Sequence, residues 1–289
     1  QLTIITRLLK IMSLKLTLKK NHSFLVAEIG WNFLGNISLA KKLILSAKKN
    51  GADAVKFQIW NPKNLKKGPW DNDGRRELYE KSYLDKKKYT ELFNYSKKNK
   101  ILCFASVWSI SDMELLKSVS NQVVKIPSPE AYNTKLIKAC LKNFKKVIIS
   151  CGCLNMRELK NIVNLKNKNK IIALHCVSSY PLNPKECNFQ KFYYLKEKFK
   201  DVGYSGHLEG INDAVFAMAN NACVIEKHFT INKNLPGRDN KFSLTPDEFK
   251  SMKNIRDNFE DFSFKKGLNI QKSEIEIKKY YRGRWIKSF

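Results

Sequence analysis

The sequence predicts an α/β fold of the (β/α)8 TIM-barrel class. Short apolar runs rich in Val, Ile and Phe recur eight times, and amphipathic stretches lie between them. Several of the runs are almost wholly apolar, as parallel strands buried on both faces should be. A doubly wound sheet usually has fewer strands, and a single barrel commonly reaches the length of this chain, 289 residues.

Each predicted strand is a run of apolar and β-branched residues that ends at a polar or glycine-containing stretch. In chain order, the predicted strands are Phe24–Gly30, Ala54–Trp60, Ile101–Trp108, Gln122–Ser128, Lys146–Gly152, Lys170–Tyr180, Val202–His207 and Val224–Thr230.

The predicted helices have apolar residues at intervals of three and four, as Leu43, Ile44 and Ala47 show. They are Leu39–Asn50, Lys86–Asn99, Asp112–Val119, Thr134–Lys142, Met156–Leu165, Gly210–Asn221 and Pro246–Phe259. The polar segment Pro62–Glu80 follows the second strand, on the face where barrel enzymes place their active sites. We interpret it as a long loop and a candidate lid.

The chain divides into one domain with two flanking segments. We predict a poorly structured extension over residues 1–20, a catalytic barrel over residues 21–265 and a basic tail over residues 266–289. Hydrophobic residues make up 43% of the chain, which is enough for a sizeable core. No apolar run is long enough to span a bilayer, so we expect no membrane association.

The formal net charge of +28 suggests nucleic acid as a partner, but the kind of residue argues against it. The positive residues are mainly lysines scattered along helices, with no recognised nucleic-acid module, so we expect no nucleic-acid partner. The seven cysteines form no Cys-x-x-Cys pair and lie mostly in apolar runs. We therefore expect reduced thiols and a cytoplasmic location.

Polar and charged side chains occupy late positions of strands that should be buried on both faces. These residues are Glu28, Lys56, Gln58, Lys125, Ser150, Ser205, His207, Glu226 and His228. Pairs within one strand are two residues apart and therefore share a face. Barrel enzymes place their active sites at the carboxyl ends of the strands, so we expect these side chains to meet at one mouth.

The residue types at this mouth suggest two chemistries. Lysines and serines together can bind a phosphate and a carboxylate, and two neutral imidazoles can hold a divalent ion that polarises a carbonyl. Glu28 can relay a proton. The set fits a metal-assisted carbon–carbon condensation with an anionic phosphorylated donor. A Schiff-base aldolase that uses Lys56 or Lys125 fits the same residue types almost as well.

An ordered series of motifs between Phe24 and Phe259 resembles the sialic acid (N-acetylneuraminate) synthase family. The motifs are Ala27–Asn32, Gly51–Gln58, Lys125–Glu130, His175–Pro181, Gly203–His207, Glu226–Thr230, Pro236–Asp239 and Phe242–Leu244.

The resemblance implies condensation of phosphoenolpyruvate with an N-acetylated hexosamine aldehyde, release of phosphate and a homodimer. It implies a divalent ion, Mn²⁺ or Mg²⁺, held by His207 and His228, which with Glu28 are the catalytic residues. The implied phosphoenolpyruvate-binding residues are Lys56, Ser106, Lys125, Ser128, Ser150, Ser178 and Ser205. The implied sugar-binding residues are Gln58, Glu130, Tyr180 and Asp239.

The chain departs from the family pattern in ways that leave two further functions open. Phe33 stands where His is common, and Gly206 replaces an Asp that usually precedes the metal-binding histidine. The C-terminal antifreeze-like domain of many relatives is missing from this sequence, and we expect either a shorter subgroup or a sequence that is cut off. The two functions are condensation with a phosphorylated sugar, which calls for an Arg-rich second phosphate site, and a degenerate barrel that binds carbohydrate without catalysis.

Overall fold

The computed structural model describes residues 14–285, apart from the side chain of residue 260. Its centre is a closed barrel of eight parallel strands in chain order, in which the last strand pairs with the first. The predicted (β/α)8 class is confirmed. The strands are β1 Phe24–Gly30, β2 Ala54–Ile59, β3 Leu102–Val107, β4 Val123–Ile126, β5 Lys146–Ser150, β6 Ile171–His175, β7 Asp201–Gly206 and β8 Val224–His228.

Helices surround the barrel, and at least one follows every strand. They are α1 Ile37–Lys49, α2 Arg75–Lys81, α3 Lys86–Lys98, α4 Ile110–Val119, α5 Thr134–Asn143, α6 Met156–Val163, α7 Gln190–Lys198, α8 Asn212–Ala219, α9 Pro246–Phe262 and α10 Ile275–Tyr281. Two of these are additions to the barrel pattern: α2 lies between β2 and α3, and α10 follows α9.

Side-chain caps set where several helices begin. Asn36 accepts a hydrogen bond from the Leu39 backbone at the start of α1. Thr245 does the same for Glu248 at the start of α9, where Pro246 is the first helical residue. Both devices satisfy backbone donors that have no partner within the first helical turn. The boundaries of these helices therefore follow from local sequence.

Successive side chains of each strand point alternately outwards and inwards, which divides the core into a layer beneath the helices and a layer inside the barrel. In β1, Leu25, Ala27 and Ile29 pack between the barrel and the helices. Phe24 and Val26 belong to a separate cluster inside the barrel. The next inward position is that of Glu28, because side chains two residues apart share a face. The interior thus changes from apolar to charged towards the carboxyl ends of the strands.

Three elements of the barrel region differ from the sequence prediction. The predicted strand Lys170–Tyr180 is too long, because β6 ends at His175 and a loop follows. Helix α7 was not predicted; it buries only Phe192 and Leu195 among charged residues, so its apolar period is weak. The predicted loop Pro62–Glu80 contains most of α2, a helix without buried residues whose sequence carries no amphipathic signal.

The flanking segments are partly structured. Residues 1–13 of the predicted extension lie outside the described residues. In the rest of that extension, Leu14, Leu16 and Leu18 pack on the cluster inside the barrel. The predicted tail contains α10, which buries none of its residues.

The surface of α1 shows how the lysines are distributed. Lys42, Lys48 and Lys49 are exposed, whereas Leu43 and Ile44 on the same helix are buried. Here the basic residues form a solvated helix face, as the sequence suggested. Between residues 14 and 285, none of the helices has the length and apolarity required to cross a membrane.

His175 ends β6 but faces the helix layer rather than the barrel interior. It is completely buried, and its ring lies 5.4 Å from that of Phe189 and 5.7 Å from that of Tyr204. Its Nε2 lies 2.7 Å from the carbonyl oxygen of Cys187. Burial lowers the pKa of His175 from 6.5 to about 4. This histidine is therefore a neutral core residue, separate from His207 and His228.

We predict that His175 makes the fold sensitive to acid. The unfolded chain takes up a proton near pH 6.5, whereas the folded chain resists it until about pH 4. The free energy of unfolding should therefore fall as pH drops through this window, by up to about 3 kcal/mol from this residue. Urea unfolding at pH 7.5 and pH 4.5 should show a smaller fall for His175→Asn than for wild type. Equal falls in the two proteins would refute this assignment.

Candidate active site

The carboxyl ends of the strands open into one cavity of about 670 Å³. Every predicted site residue except Ser178 lines it. These side chains meet because alternate residues of a strand point into the barrel. The last inward positions of β1, β2, β3, β4, β7 and β8 all carry polar side chains. These are Glu28, Lys56, Gln58, Ser106, Lys125, Ser205, Glu226 and His228.

A buried cluster of two lysines and two glutamates forms the floor of the cavity. Lys125 Nζ lies 2.9 Å from both carboxylate oxygens of Glu226. Lys56 Nζ lies 2.6 Å from Glu28 Oε2 and 3.6 Å from Glu226 Oε1. It also donates to Ser106 Oγ at 2.9 Å. All four charged residues are at least nine-tenths buried. Their mutual ion pairs therefore offset the free-energy cost of removing each charge from water.

The cluster has an uneven distribution of pKa values. At Glu226 burial raises the pKa, but the ammonium groups of Lys125 and Lys56 outweigh it and bring the value to about 2. At Glu28 burial outweighs the attraction of Lys56, and the pKa is raised. Burial lowers the pKa of Lys125, whereas the two carboxylates raise that of Lys56 in spite of burial. Glu226 is thus the fixed anion, and Glu28 is the carboxyl that more readily holds a proton.

Hydroxyl and thiol groups extend the floor beside Lys125. Ser128 Oγ lies 2.8 Å from Cys176 Sγ. A Cβ on Gly152 would lie 2.7 Å from Ser128 Oγ, so only glycine leaves this space open. Ser150 lines the cavity, while Ser178 Oγ lies behind the row, 3.0 Å from that same Cβ position.

His207 and His228 form the wall beside the charged floor, with ring centroids 5.7 Å apart. His207 Nδ1 lies 2.7 Å from the carbonyl oxygen of Val177 and donates to it, which leaves Nε2 as a lone-pair donor. Burial lowers the pKa of His207 to about 4 and that of His228 well below its usual value. Both imidazoles are therefore neutral at physiological pH, as metal ligands must be.

The donor set fits a divalent ion with open coordination positions. Among residues 14–285, no three His, Cys, Asp or Glu side chains come close enough to hold an ion by themselves. Asp239 Oδ2 lies 3.5 Å from His228 Nδ1, and burial raises the pKa of Asp239 to about 7. An ion on the two imidazoles would complete its shell with substrate or water oxygens, as catalytic ions do.

The predicted sugar-binding residues surround the histidines and Glu28. Gln58 Nε2 donates to Glu28 Oε1 at 2.6 Å. The Tyr180 ring lies 4.3 Å from that of His207. Glu130 lies further along the wall, near Asn133, and burial raises its pKa. These positions border the open part of the cavity, above the charged floor.

An aromatic wall, which sequence reasoning did not identify, closes the β1 and β2 side of the mouth. The rings of Trp31 and Tyr79 lie 4.9 Å apart, and those of Trp60 and Tyr79 lie 5.5 Å apart. Trp60 Nε1 donates to the Tyr79 carbonyl oxygen at 3.0 Å. Tyr79 belongs to α2, so the segment predicted as a lid does border the mouth. Its movement stays a prediction.

Two further residues of the floor had no predicted role. Glu226 shares a face with His228, and this spacing was the signal that could have assigned it. The sequence suggests a core thiol at Cys176, and only the fold shows it beside Ser128.

Phe33, by contrast, lies outside the cavity. It is 1% exposed and packs edge-on against Phe57. The departure from the family pattern at residue 33 therefore leaves the cavity unchanged.

The fold and the cavity together define a TIM-barrel enzyme with a buried, charged floor at the carboxyl ends of its strands. Residues 43–264 match the model of the NeuB family, and the chain belongs to that family. The resemblance to sialic acid synthases is confirmed by this match.

Relatives of known name agree with the match. The N,N'-diacetyllegionaminic acid synthase of Campylobacter jejuni is 38% identical over 247 residues, which cover 80% of this chain and 74% of that protein. A pseudaminic acid synthase of Campylobacter jejuni is 36% identical over 244 residues, covering 79% of this chain and 71% of that protein. The crystal structure of an N-acetylneuraminic acid (sialic acid) synthetase from Leptospira borgpetersenii has a TM-score of 0.79 at 30% identity. That comparison covers 93% of this chain and 94% of the other.

We predict that Glu226→Gln destabilises the fold severely. The substitution leaves Lys125 and Lys56 with one carboxylate between them, and removing one member of a buried pair costs about 3–5 kcal/mol. Urea unfolding at pH 7 measures the loss. The matched control is Glu91→Gln, which breaks a surface pair with Lys41 and should cost less than about 1 kcal/mol. Similar losses for the two variants would contradict the central role of Glu226.

Proposed function

We propose that this protein condenses phosphoenolpyruvate with an N-acetylated hexosamine aldehyde and releases phosphate, making a nonulosonic acid. One observation carries the proposal: two buried lysines, balanced by Glu28 and Glu226, lie beside two neutral imidazoles in one cavity. Membership of a family whose relatives are named legionaminic and pseudaminic acid synthases supports it.

The proposed seat of phosphoenolpyruvate is the charged floor with its hydroxyl row. Two lysines supply charge for the phosphate and the carboxylate, and the hydroxyls supply directional donors. The residues assigned to this seat are Lys56, Ser106, Lys125, Ser128, Ser150 and Ser205, whereas the predicted contact Ser178 has its hydroxyl buried outside the cavity lining. Ser205 Oγ donates to Glu226 Oε1 at 3.1 Å, and Ser106 accepts from Lys56, so the floor is ordered before substrate arrives. Such preorganisation lowers the cost of binding and reaction.

His207 and His228 would hold the divalent ion, Mn²⁺ or Mg²⁺. When bound, the ion supplies Lewis-acid polarisation of the aldehyde carbonyl. The hydrogen bond from His207 Nδ1 to the Val177 carbonyl fixes the tautomer and the ring plane, which presents Nε2 to the cavity. Tyr180 packs against the His207 ring and limits its rotation.

The remaining steps fall to the charged floor and the sugar side. C3 of phosphoenolpyruvate forms the new bond to the aldehyde carbon, and the aldehyde oxygen takes a proton. Water then adds to C2 and gives up a proton, and the bond from C2 to the phosphate oxygen breaks as the C2 hydroxyl loses its proton and becomes a ketone. Glu28, whose pKa burial raises, is placed to manage protons near the aldehyde and the attacking water. Gln58 orients Glu28, and with Tyr180, Glu130 and Asp239 it is proposed to contact the sugar.

A phosphorylated sugar is a less suitable acceptor for the charges at the mouth. Arg75 and Arg238 do line the cavity, although sequence reasoning placed few arginines near it. Arg75 is engaged by Asp73, with Nε 2.8 Å from Oδ2. Glu130 and Asp112 line the same cavity and would repel a second phosphate. Lys66 and Arg238 line the cavity as well, so the proposal of an acceptor without phosphate rests on the two carboxylates and on the engagement of Arg75.

A Schiff-base aldolase and a non-catalytic barrel also fit the site less well. A Schiff-base lysine must lose its charge, whereas Lys56 and Lys125 both form ion pairs with Glu226, and the two carboxylates raise the pKa of Lys56. A degenerate barrel should have lost part of the site, yet Glu28, His207 and His228 all line the cavity with the lysines.

The proposal extends to assembly and location. We propose a homodimer in the cytoplasm, the compartment that keeps thiols reduced. The buried thiols of this chain are Cys103, Cys140, Cys151 and Cys176, and none of them forms a disulfide.

The reaction itself can be tested by phosphate release. We predict release from phosphoenolpyruvate with N-acetylmannosamine or a bacillosamine-type sugar in the presence of Mn²⁺. His207→Ala should lower the rate by on the order of 100-fold or more, because one of two ion ligands is lost. His175→Asn is the matched control, since that imidazole faces the helix layer, and it should retain the rate. No release with any of these sugars would overturn the proposed function.

The charge of the acceptor can be tested with a matched pair of sugars. We predict a higher kcat/KM for N-acetylmannosamine than for the same sugar phosphorylated at C6, by on the order of 10-fold, because carboxylates line the mouth. Glu130→Gln should reduce the difference in kcat/KM between the two sugars, because it removes one charge that repels the phosphate. A preference for the phosphorylated sugar, lost in Arg238→Ala, would establish a phosphorylated acceptor instead.

A further inference from the structure

A second buried ion pair lies behind the histidines, in the layer between the barrel and α8. Lys227 Nζ is 3.0 Å from both carboxylate oxygens of Asp213, and both residues are more than nine-tenths buried. Tyr204 donates to Asp213 Oδ2 at 3.1 Å, and the Ala214 backbone donates to Oδ1 at 2.8 Å. The carboxylate is therefore held by three groups, although it touches no part of the cavity.

The ammonium group of Lys227 connects this pair to both histidines. It donates to the Leu208 carbonyl oxygen at 2.6 Å, and Leu208 directly follows His207. Lys227 itself directly precedes His228 on β8. In the barrel register, Lys227 is paired with Gly206, the residue before His207. One buried side chain thus joins the backbone after the first imidazole to the strand that carries the second.

Gly206 is the position that makes room for this arrangement. A Cβ at residue 206 would lie 2.2 Å from Asp213 Oδ2 and 2.6 Å from Tyr204 Cε1. Both distances are far below van der Waals contact. The Asp213 carboxylate cannot yield easily, because Lys227, Tyr204 and the Ala214 backbone all bind it. A side chain at 206 and the observed Asp213–Lys227 pair therefore exclude each other.

We infer that Lys227 and Asp213 are positioning residues that set the separation of His207 and His228 for a divalent ion. The Asp213–Lys227 pair then requires glycine at residue 206, so the missing Asp side chain at this position is not simply the loss of a functional group. The inference rests on the metal role proposed above. The pair acts through the backbone of Leu208 and through β8, because neither side chain reaches the cavity.

The test separates positioning from stability. In Lys227→Met/Asp213→Asn both buried charges are removed together, while the amide still accepts from Tyr204. Removing a buried pair as a unit often leaves stability nearly unchanged. We expect the thermal midpoint to stay close to that of wild type, and the Kd for Mn²⁺, measured by electron paramagnetic resonance of free Mn²⁺, to rise on the order of 10-fold. KM for phosphoenolpyruvate should stay the same, since the charged floor is untouched.

Gly206→Ala gives an independent route to the same result. The added methyl group must displace Asp213, so its Kd for Mn²⁺ should rise in the same way even if the double variant folds poorly. Arg256→Met is the control: it breaks the pairs of the buried Arg256 with Asp257 and with the partly exposed Asp53, whose Oδ2 lies 2.8 Å from Nη1. It should lower the thermal midpoint and leave Mn²⁺ binding unchanged.

Three outcomes decide the matter. Weaker Mn²⁺ binding in the double variant and in Gly206→Ala, but not in Arg256→Met, supports the inference. Wild-type Mn²⁺ affinity in a folded double variant or in Gly206→Ala overturns it and leaves the proposed reaction standing. Failure of the wild-type protein to bind Mn²⁺ at all overturns the proposed metal role and this inference with it.

Discussion

Two lysines can be kept inside a barrel only if carboxylates accompany them, and this constraint organises the whole interior of this protein. Glu226 lies between Lys125 and Lys56, and Glu28 completes a cluster whose formal charges cancel. Because Lys125 is on β4 and Glu226 is on β8, their contact crosses the barrel. It therefore requires closure of all eight strands in the correct register. Stability and the proposed recognition of substrate consequently depend on the same four side chains, at the end of the barrel where the apolar interior stops.

This balance also shapes the proposed chemistry. An isolated pair of buried lysines would lose protons or attract any anion, whereas lysines already bound to carboxylates stay charged and fixed in place. An incoming phosphate and carboxylate meet oriented donors and need only share them with Glu226. The unequal pKa values follow from geometry, since Glu226 contacts both ammonium groups and Glu28 contacts one. The carboxyl with fewer cations is the one next to Gln58 and the sugar side, where a proton must be moved.

Strand alternation made much of this site predictable from sequence. Residues two apart, such as Glu226 and His228, had to face the same way, and the barrel rule placed them at one mouth. Contacts across the barrel were not predictable, because no local pattern relates β4 to β8. The aromatic wall was missed for a related reason: Tyr79 reaches the mouth from α2, which buries none of its own residues. Phe33 shows the opposite case, in which a residue next to a motif faces the helix layer and leaves the cavity unaffected.

The three residues Glu226, Lys227 and His228 show how one strand can serve both layers of a barrel. Alternation sends the first and third side chains into the cavity and the second outwards, where Asp213 meets it. An outward lysine in an apolar layer costs free energy unless its partner is fixed, and the partner is fixed only because residue 206 has no side chain. A change in the outer layer therefore carries consequences for the inner one through the shared backbone. Gly206 is therefore better understood as the position that makes room for the buried carboxylate of Asp213 than as a defect in the site.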